Sequence, residues 1–168
     1  MAEPHRKPRF LISFVLWGDW YVDVFVNLCL PALLAPRNLP KLREDYEIYV
    51  YIFTTNYNAK LIEGTGSFKR LAAMAPTIFK LKRTVSLRDK FRFHHIAWQF
   101  SFNAALEEGG VCAFLPPDLV WSDGSLEHVG RLFFQNMDVV YITGPRVTAE
   151  RKHSFLHLNH GCAMMFSL

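Results

Sequence analysis

An alternation constrains this chain more than any other feature. Short runs dense in Ile, Val, Phe and Tyr recur, separated by longer stretches of helical character. Residues 9–17 (RFLISFVLW), 46–55 (YEIYVYIFTT), 77–85, 111–115 (VCAFL) and 137–143 (MDVVYIT) read as strands. Residues 21–34, 59–75, 87–108 and 125–134 read as helices between them. Gly18-Asp19, residues 56–58, Pro116-Pro117 and Gly144-Pro145 punctuate the pattern, Ser86 is a fair cap for the long helix, and Gly109-Gly110 ends it. Strands separated by helices require right-handed βαβ crossovers, and these build a parallel sheet. The expectation is an α/β fold, a mainly parallel sheet with helices on both faces.

The chain is 168 residues long, which fits one domain. At 51% hydrophobic and 20% charged residues it has ample material for a core and is no disordered segment. Its 15 Phe residues imply a bulky core or an unusually apolar surface that a partner or further segment would cover. The formal net charge of +4 gathers at residues 5–9 and 80–92. Such an excess suits phosphate-bearing ligands and solvated faces alike. No dense basic block interleaved with aromatics occurs, which argues against nucleic acid as a partner. Cys29, Cys112 and Cys162 show no CxxC spacing, so neither a disulfide framework nor a zinc knuckle is expected. A reducing, cytoplasmic setting follows as the default. Residues 24–35 are too short to cross a bilayer and contain Pro31, so no transmembrane segment is expected, while a peripheral membrane contact stays open.

In a parallel sheet, ligands bind beyond the carboxyl ends of the strands. Trp17-Gly18-Asp19, Thr54-Thr55-Asn56, Pro116-Pro117-Asp118 and Gly144-Pro145-Arg146 fall there. Of these, residues 111–124 (VCAFLPPDLVWSDG) are the most informative: a buried strand delivers Asp118 just past its end, and a turn and helix start follow.

That pattern resembles the nucleotide-binding half of a GT-A-type glycosyltransferase, in which a hydrophobic strand leads to an Asp-x-Asp motif and a Pro-Gly-Ser-Leu-like helix start. Ser122-Asp123-Gly124-Ser125-Leu126 looks like that helix start, and the run from Met137 looks like the strand after it. The chain also looks like a group of bacterial proteins with Trp-Gly-Asp-Trp near the start and Pro-Asp-x-x-Trp-Ser-Asp-Gly later. The resemblance implies a Rossmann-like domain that binds a nucleotide-diphospho-sugar donor and transfers the sugar to an acceptor the sequence does not name. It also implies a divalent cation, Mn²⁺ or Mg²⁺, bridging the diphosphate. Here Pro116 stands where the first Asp of the motif would be, so Asp118 is the one matching metal ligand, and metal dependence is weakened. Asp123 reads as a turn residue.

In the resembled fold the loop after strand one passes beneath the base and ribose. Trp17 or Trp20 would then stack on the base and Gly18 would permit close approach. The alternative is a plain strand-to-helix turn with Asp19 as helix cap. Arg146 would offer paired donors to a diphosphate. His94 and His95, beside Arg92 and Trp98, are further cleft candidates. His153, His157 and His160 would share a face only on a helix. The Gly64–Ser67 stretch lacks the features of a phosphate loop. A run at residues 162–166 reads as the start of another strand, which suggests a fragment or shortened member. Two rivals stay open: a non-catalytic binding or scaffold member of the same fold, and another Rossmann-like enzyme. The absence of Gly-x-Gly-x-x-Gly after strand one counts against the latter.

Overall fold

The structure, a computed structural model, describes residues 7–82, 89–146 and 159–167, with side chains described for 7–81 and 89–142. The chain runs β1 (Arg9–Val15), α1 (Asp19–Val24), a π-helical turn (Phe25–Cys29), α2 (Leu30–Leu33), α3 (Leu39–Leu42), β2 (Glu47–Thr55), α4 (Asn56–Glu63) and α5 (Gly66–Met74). It continues with β3 (Thr77–Lys82), α6 (Lys90–Glu108), β4 (Gly110–Phe114), α7 (Ser125–Phe134), β5 (Val139–Arg146) and β6 (Asn159–Ser167). The strands form one sheet in the order β3-β2-β1-β4-β6-β5. The β1–β2, β2–β3 and β1–β4 pairs are parallel, while β6 runs antiparallel to both its neighbours. The expected α/β fold, mainly parallel with helices on both faces, is the one observed.

Strand alternation divides the core. Phe10, Ile12 and Phe14 of β1, with Val50, Ile52, Val111 and Ala113 from its neighbours, meet Phe25, Leu30, Leu33 and Leu126 in one large cluster. Leu11, Ser13 and Val15 point to the other side, beneath α6. There α6 turns a row four residues apart, Phe93, Ala97, Ser101 and Ala105, onto the sheet. Three of the four are small, which lets the helix come close. The Ser101 hydroxyl donates to the Ala97 carbonyl and lies 2.9 Å from the Ser13 hydroxyl. At the other end of α6, Glu108 pairs with Arg9 at 2.6 Å.

Several expected boundaries shift for identifiable reasons. The turn expected at residues 56–58 is instead the first turn of α4, because the Thr55 side chain caps it by accepting from the Asn58 N–H. The single helix expected over 59–75 is two, since Thr65 caps α5 by accepting from the Phe68 N–H. Residues 39–42, read as loop, form α3. Asp19 is no helix cap: Gly18 holds that position, with no side-chain cap bond. Gly144-Pro145 does not stop β5, which runs on to Arg146 because β6 continues to pair with it. Strand six is present, but extends over Asn159–Ser167. His160 lies in that strand, so the shared helical face proposed for the three histidines does not form there. His153, His157, Ser86 and Leu87 lie outside the described residues. No helix among the described residues is long and apolar enough to cross a membrane.

Candidate functional site

From β1 the chain adds β2 and β3 on one side, then places β4 on the other. The order therefore reverses between β1 and β4, and α/β sheets bind ligands in the crevice beyond the strand ends at such a point. A cavity of about 520 Å³ lies there. Ser13, Val15 and Phe114 line it from the sheet, and Phe91, His94 and Trp98 from α6. Trp17 and Tyr21 line it from the chain leaving β1, and Pro116, Pro117 and Asp118 from the chain leaving β4. The volume falls in the range of small-ligand sites.

Each wall has a local cause. Gly18 adopts φ 89° and ψ 145°, a conformation open to glycine, and this releases the chain from β1 into α1. Its N–H donates to Asn58 Oδ1 at 3.1 Å, and the Thr55 hydroxyl donates to the same oxygen at 2.8 Å. The loop is thus tied to the start of α4, and Trp17 is held half-buried with its ring 5.5 Å from Phe93 and 5.3 Å from His94. On the β4 side, the π-helical turn carries Cys29 beneath the loop, where Sγ donates to the Pro116 carbonyl at 3.9 Å. Burial and the nearby Asp118 carboxylate both push the Cys29 thiol far up, so it stays protonated.

The lining is aromatic, with a few polar groups. His94 sits between Trp17 and Trp98, the latter ring 5.9 Å away. Burial lowers its pKa, so near neutrality it presents an uncharged imidazole. Among the described residues, Lys90 and Asp118 are the formally charged side chains of the lining.

The residues singled out in the sequence therefore separate. Trp17 and Asp118 come together in the cavity. Gly18 and Asp19 follow directly on Trp17 but do not line it, Asp19 being exposed as the first residue of α1. Trp20 is exposed and meets Tyr21 edge-on instead. Arg146 ends β5, with β6 between that strand and β4, and its side chain lies outside the described part. Asp123 is engaged elsewhere, accepting from the Arg37 N–H at 2.8 Å. Lys90 was read only as part of the basic excess at residues 80–92, and Phe91 was not singled out. α6 is apolar on several faces, so spacing does not say which side turns inward.

A resident metal centre does not fit these residues. Among the described residues Asp118 is the cavity's single carboxylate, and no group of three or more His, Cys, Asp or Glu there could hold an ion.

No protein-family model matches the chain, and no curated protein matches it. Among solved structures, it is similar to the 4-diphosphocytidyl-2C-methyl-D-erythritol synthase of Anaerococcus prevotii. The TM-score is 0.51 at 7% identity, over 95% of this chain and 71% of that one. The two share a fold. That likeness shows the fold, and at such identity it carries no residue roles.

Proposed function

We propose that this domain binds a nucleotide-diphospho-sugar in the cavity between β1 and β4 and passes the sugar to an acceptor, as a glycosyltransferase-like module. The observation that carries the reading is the meeting of Trp17 and Asp118 at the switch point of the sheet, under one aromatic helix. A flat base matches the lining of Trp17, His94 and Trp98, and the ammonium of Lys90 attracts a diphosphate. Gly18 and Asp19 would face the ribose from the loop after Trp17. Arg146 would add paired donors from the same edge of the sheet.

Asp118 has the most demanding place. A lone carboxylate repels a diphosphate in a poorly solvated cavity unless a cation stands between them or it accepts from sugar hydroxyls instead. In the first case Asp118 would hold Mn²⁺ or Mg²⁺ against the diphosphate, where the cation would offset the charge of the leaving group. In the transfer itself, the bond between the anomeric carbon and the phosphate oxygen breaks. The electron pair goes to the nucleoside diphosphate, and the acceptor oxygen bonds to the anomeric carbon as its proton is lost to solvent.

Pro116 in place of a second carboxylate favours a binding-only member. The fold shared with a synthase named for its diphosphocytidyl product favours a third reading, nucleotidyl transfer onto a sugar phosphate.

Thermal denaturation with UDP-, GDP- and CDP-sugars and with CTP, each with and without Mn²⁺, separates these readings. A ligand that binds only the native state raises the melting temperature, by about 2.7 kcal/mol of stability at a hundredfold excess over Kd. For a domain of this size that is a shift of roughly 5–10 °C. A shift with a nucleotide sugar that Asp118→Ala abolishes supports the donor site, and donor hydrolysis distinguishes a catalytic from a binding member. A shift with CTP alone favours nucleotidyl transfer. No shift with any of them removes the nucleotide reading.

A further inference from the structure

One row of α6 rests on the sheet, and the rest of the helix is unusual for a solvated surface. Phe91 is 75% exposed, Ile96 51% and Phe100 44%. On the same side of the sheet, Ile78 of β3 pairs with Tyr51 beside Phe100, and Tyr141 of β5, alternating with the inward Val140, is also exposed. Surface hydrophobics scattered singly need no explanation, but aromatic side chains concentrated on one face do.

Charge on this face is one-sided. Arg92 and His95 are exposed on α6, and Lys90 is exposed as its first residue. The Lys80 ammonium sits 4.5 Å from the Phe100 ring centre and 5.3 Å from that of Tyr51. Among the described side chains of residues 77–106, Lys80, Lys90 and Arg92 are cationic and Asp89 is the one acid. The carboxylates of Glu107 and Glu108 gather at the far end of α6, where Glu108 is paired with Arg9. The helix is thus polarised along its length, with the cationic, aromatic half at the cavity end.

We propose that this face docks on an anionic membrane surface. Exposed Phe91 and Ile96 beside Arg92, on a helix that lies along the sheet, match an interfacial contact. Protein interfaces are depleted in Lys at their cores, which sets this cationic face apart from them. A stretch in which three described cations outnumber one acid complements phosphatidylserine-type headgroups. Phe91, His94 and Trp98 line both the cavity and a shallow depression shared with the exposed His95, so docking brings the mouth of the cavity to the headgroups. The contact does not depend on what the cavity binds.

The test uses the whole chain, without nucleotide, sedimented with phosphatidylcholine vesicles and with phosphatidylcholine–phosphatidylserine vesicles. Binding to the mixed vesicles alone, weakened by salt, is expected. Each cation near such a surface contributes about a fivefold gain, so the charge reversal Arg92→Glu is expected to lower partitioning roughly 25-fold. Ile96→Ser should also weaken it, and both positions are exposed, so the melting temperatures should stay unchanged. No sedimentation, equal binding to neutral vesicles, or wild-type binding by both variants overturns the proposal. Binding of soluble polyglutamate as tightly as the vesicles, with Ile96→Ser without effect, assigns the face to an acidic protein instead.

Discussion

At Gly18 the backbone conformation and the functional geometry meet in one residue. A Cβ there would touch nothing within 4 Å, yet φ is +89°. Gly18→Ala is therefore expected to cost about 1–3 kcal/mol through backbone strain alone. Denaturant midpoints measure it, and an unchanged midpoint would mean that the loop relaxes freely. His94 gives a pH signature of definite sign. Its folded pKa lies below the ordinary 6.5, because burial disfavours the imidazolium. As pH falls through about 6.5, the unfolded chain takes up the proton and the folded chain does not, so stability declines. Above that pH the group is neutral in both states and the penalty is absent. Melting temperatures followed from about pH 8 to pH 5 should fall less steeply in His94→Gln than in the wild type. Trp17 and Asp118 were legible in the sequence because each stands where a strand-like run ends. Lys90 and Phe91 were not, because their role depends on how α6 is rotated, and a helix with Phe, Trp and Ile on several sides hides that rotation.

Elements were legible where local chemistry agreed with packing, as for β1, β2, β4 and α7. The misreadings mark places where one capping side chain or a distant partner decides. Thr55 starts α4 at residues read as a turn, and Thr65 starts α5 inside a segment that periodicity ran together. Asn38 starts α7 from afar: its Oδ1 accepts from the Leu126 N–H at 3.0 Å while Nδ2 donates to the Ala32 and Ser122 carbonyls. Spacing along the chain does not contain that link. Gly109-Gly110 was read correctly as the end of α6, and the second glycine has a further role as β4 begins. A Cβ on Gly110 would lie 2.5 Å from the backbone oxygen of Arg9, its partner across the sheet. Because the obstacle is backbone, the strands must part. Gly110→Ala is expected to destabilise by at least about 1–3 kcal/mol, read as a lower denaturant midpoint. A variant as stable as the wild type would show that β1 and β4 are not held at this spacing.

Across the whole molecule, the alternation of runs was enough for an α/β sheet but not for its order. That β4 returns to the far side of β1, and that β6 enters antiparallel between β4 and β5, are long-range facts that no periodicity carries. The order matters because it makes the crevice and leaves it between unequal halves of the core. One sheet face meets α1, α2, α4, α5, α7 and the π-helical turn in a continuous cluster. The other meets α6 through two small clusters, one around Phe114 and one around Phe93. Native proteins open in cooperative units, and the unit with the least buried apolar contact opens first. The amides of α6 should therefore exchange hydrogen through a partial opening, at a lower free energy than those of β1 and β2. The cavity is walled by α6 on one side and by the ends of β1 and β4 on the other, so a ligand within it binds the closed form alone. At a hundredfold excess over Kd, the nucleotide that shifts the melting temperature should slow α6 exchange by up to about 2.7 kcal/mol. Protection confined to β1 and β4, with α6 unaffected, would place the ligand against the strand ends without closure by the helix. The roles given to His94, Trp98 and Lys90 would then be withdrawn, and that of Asp118 kept.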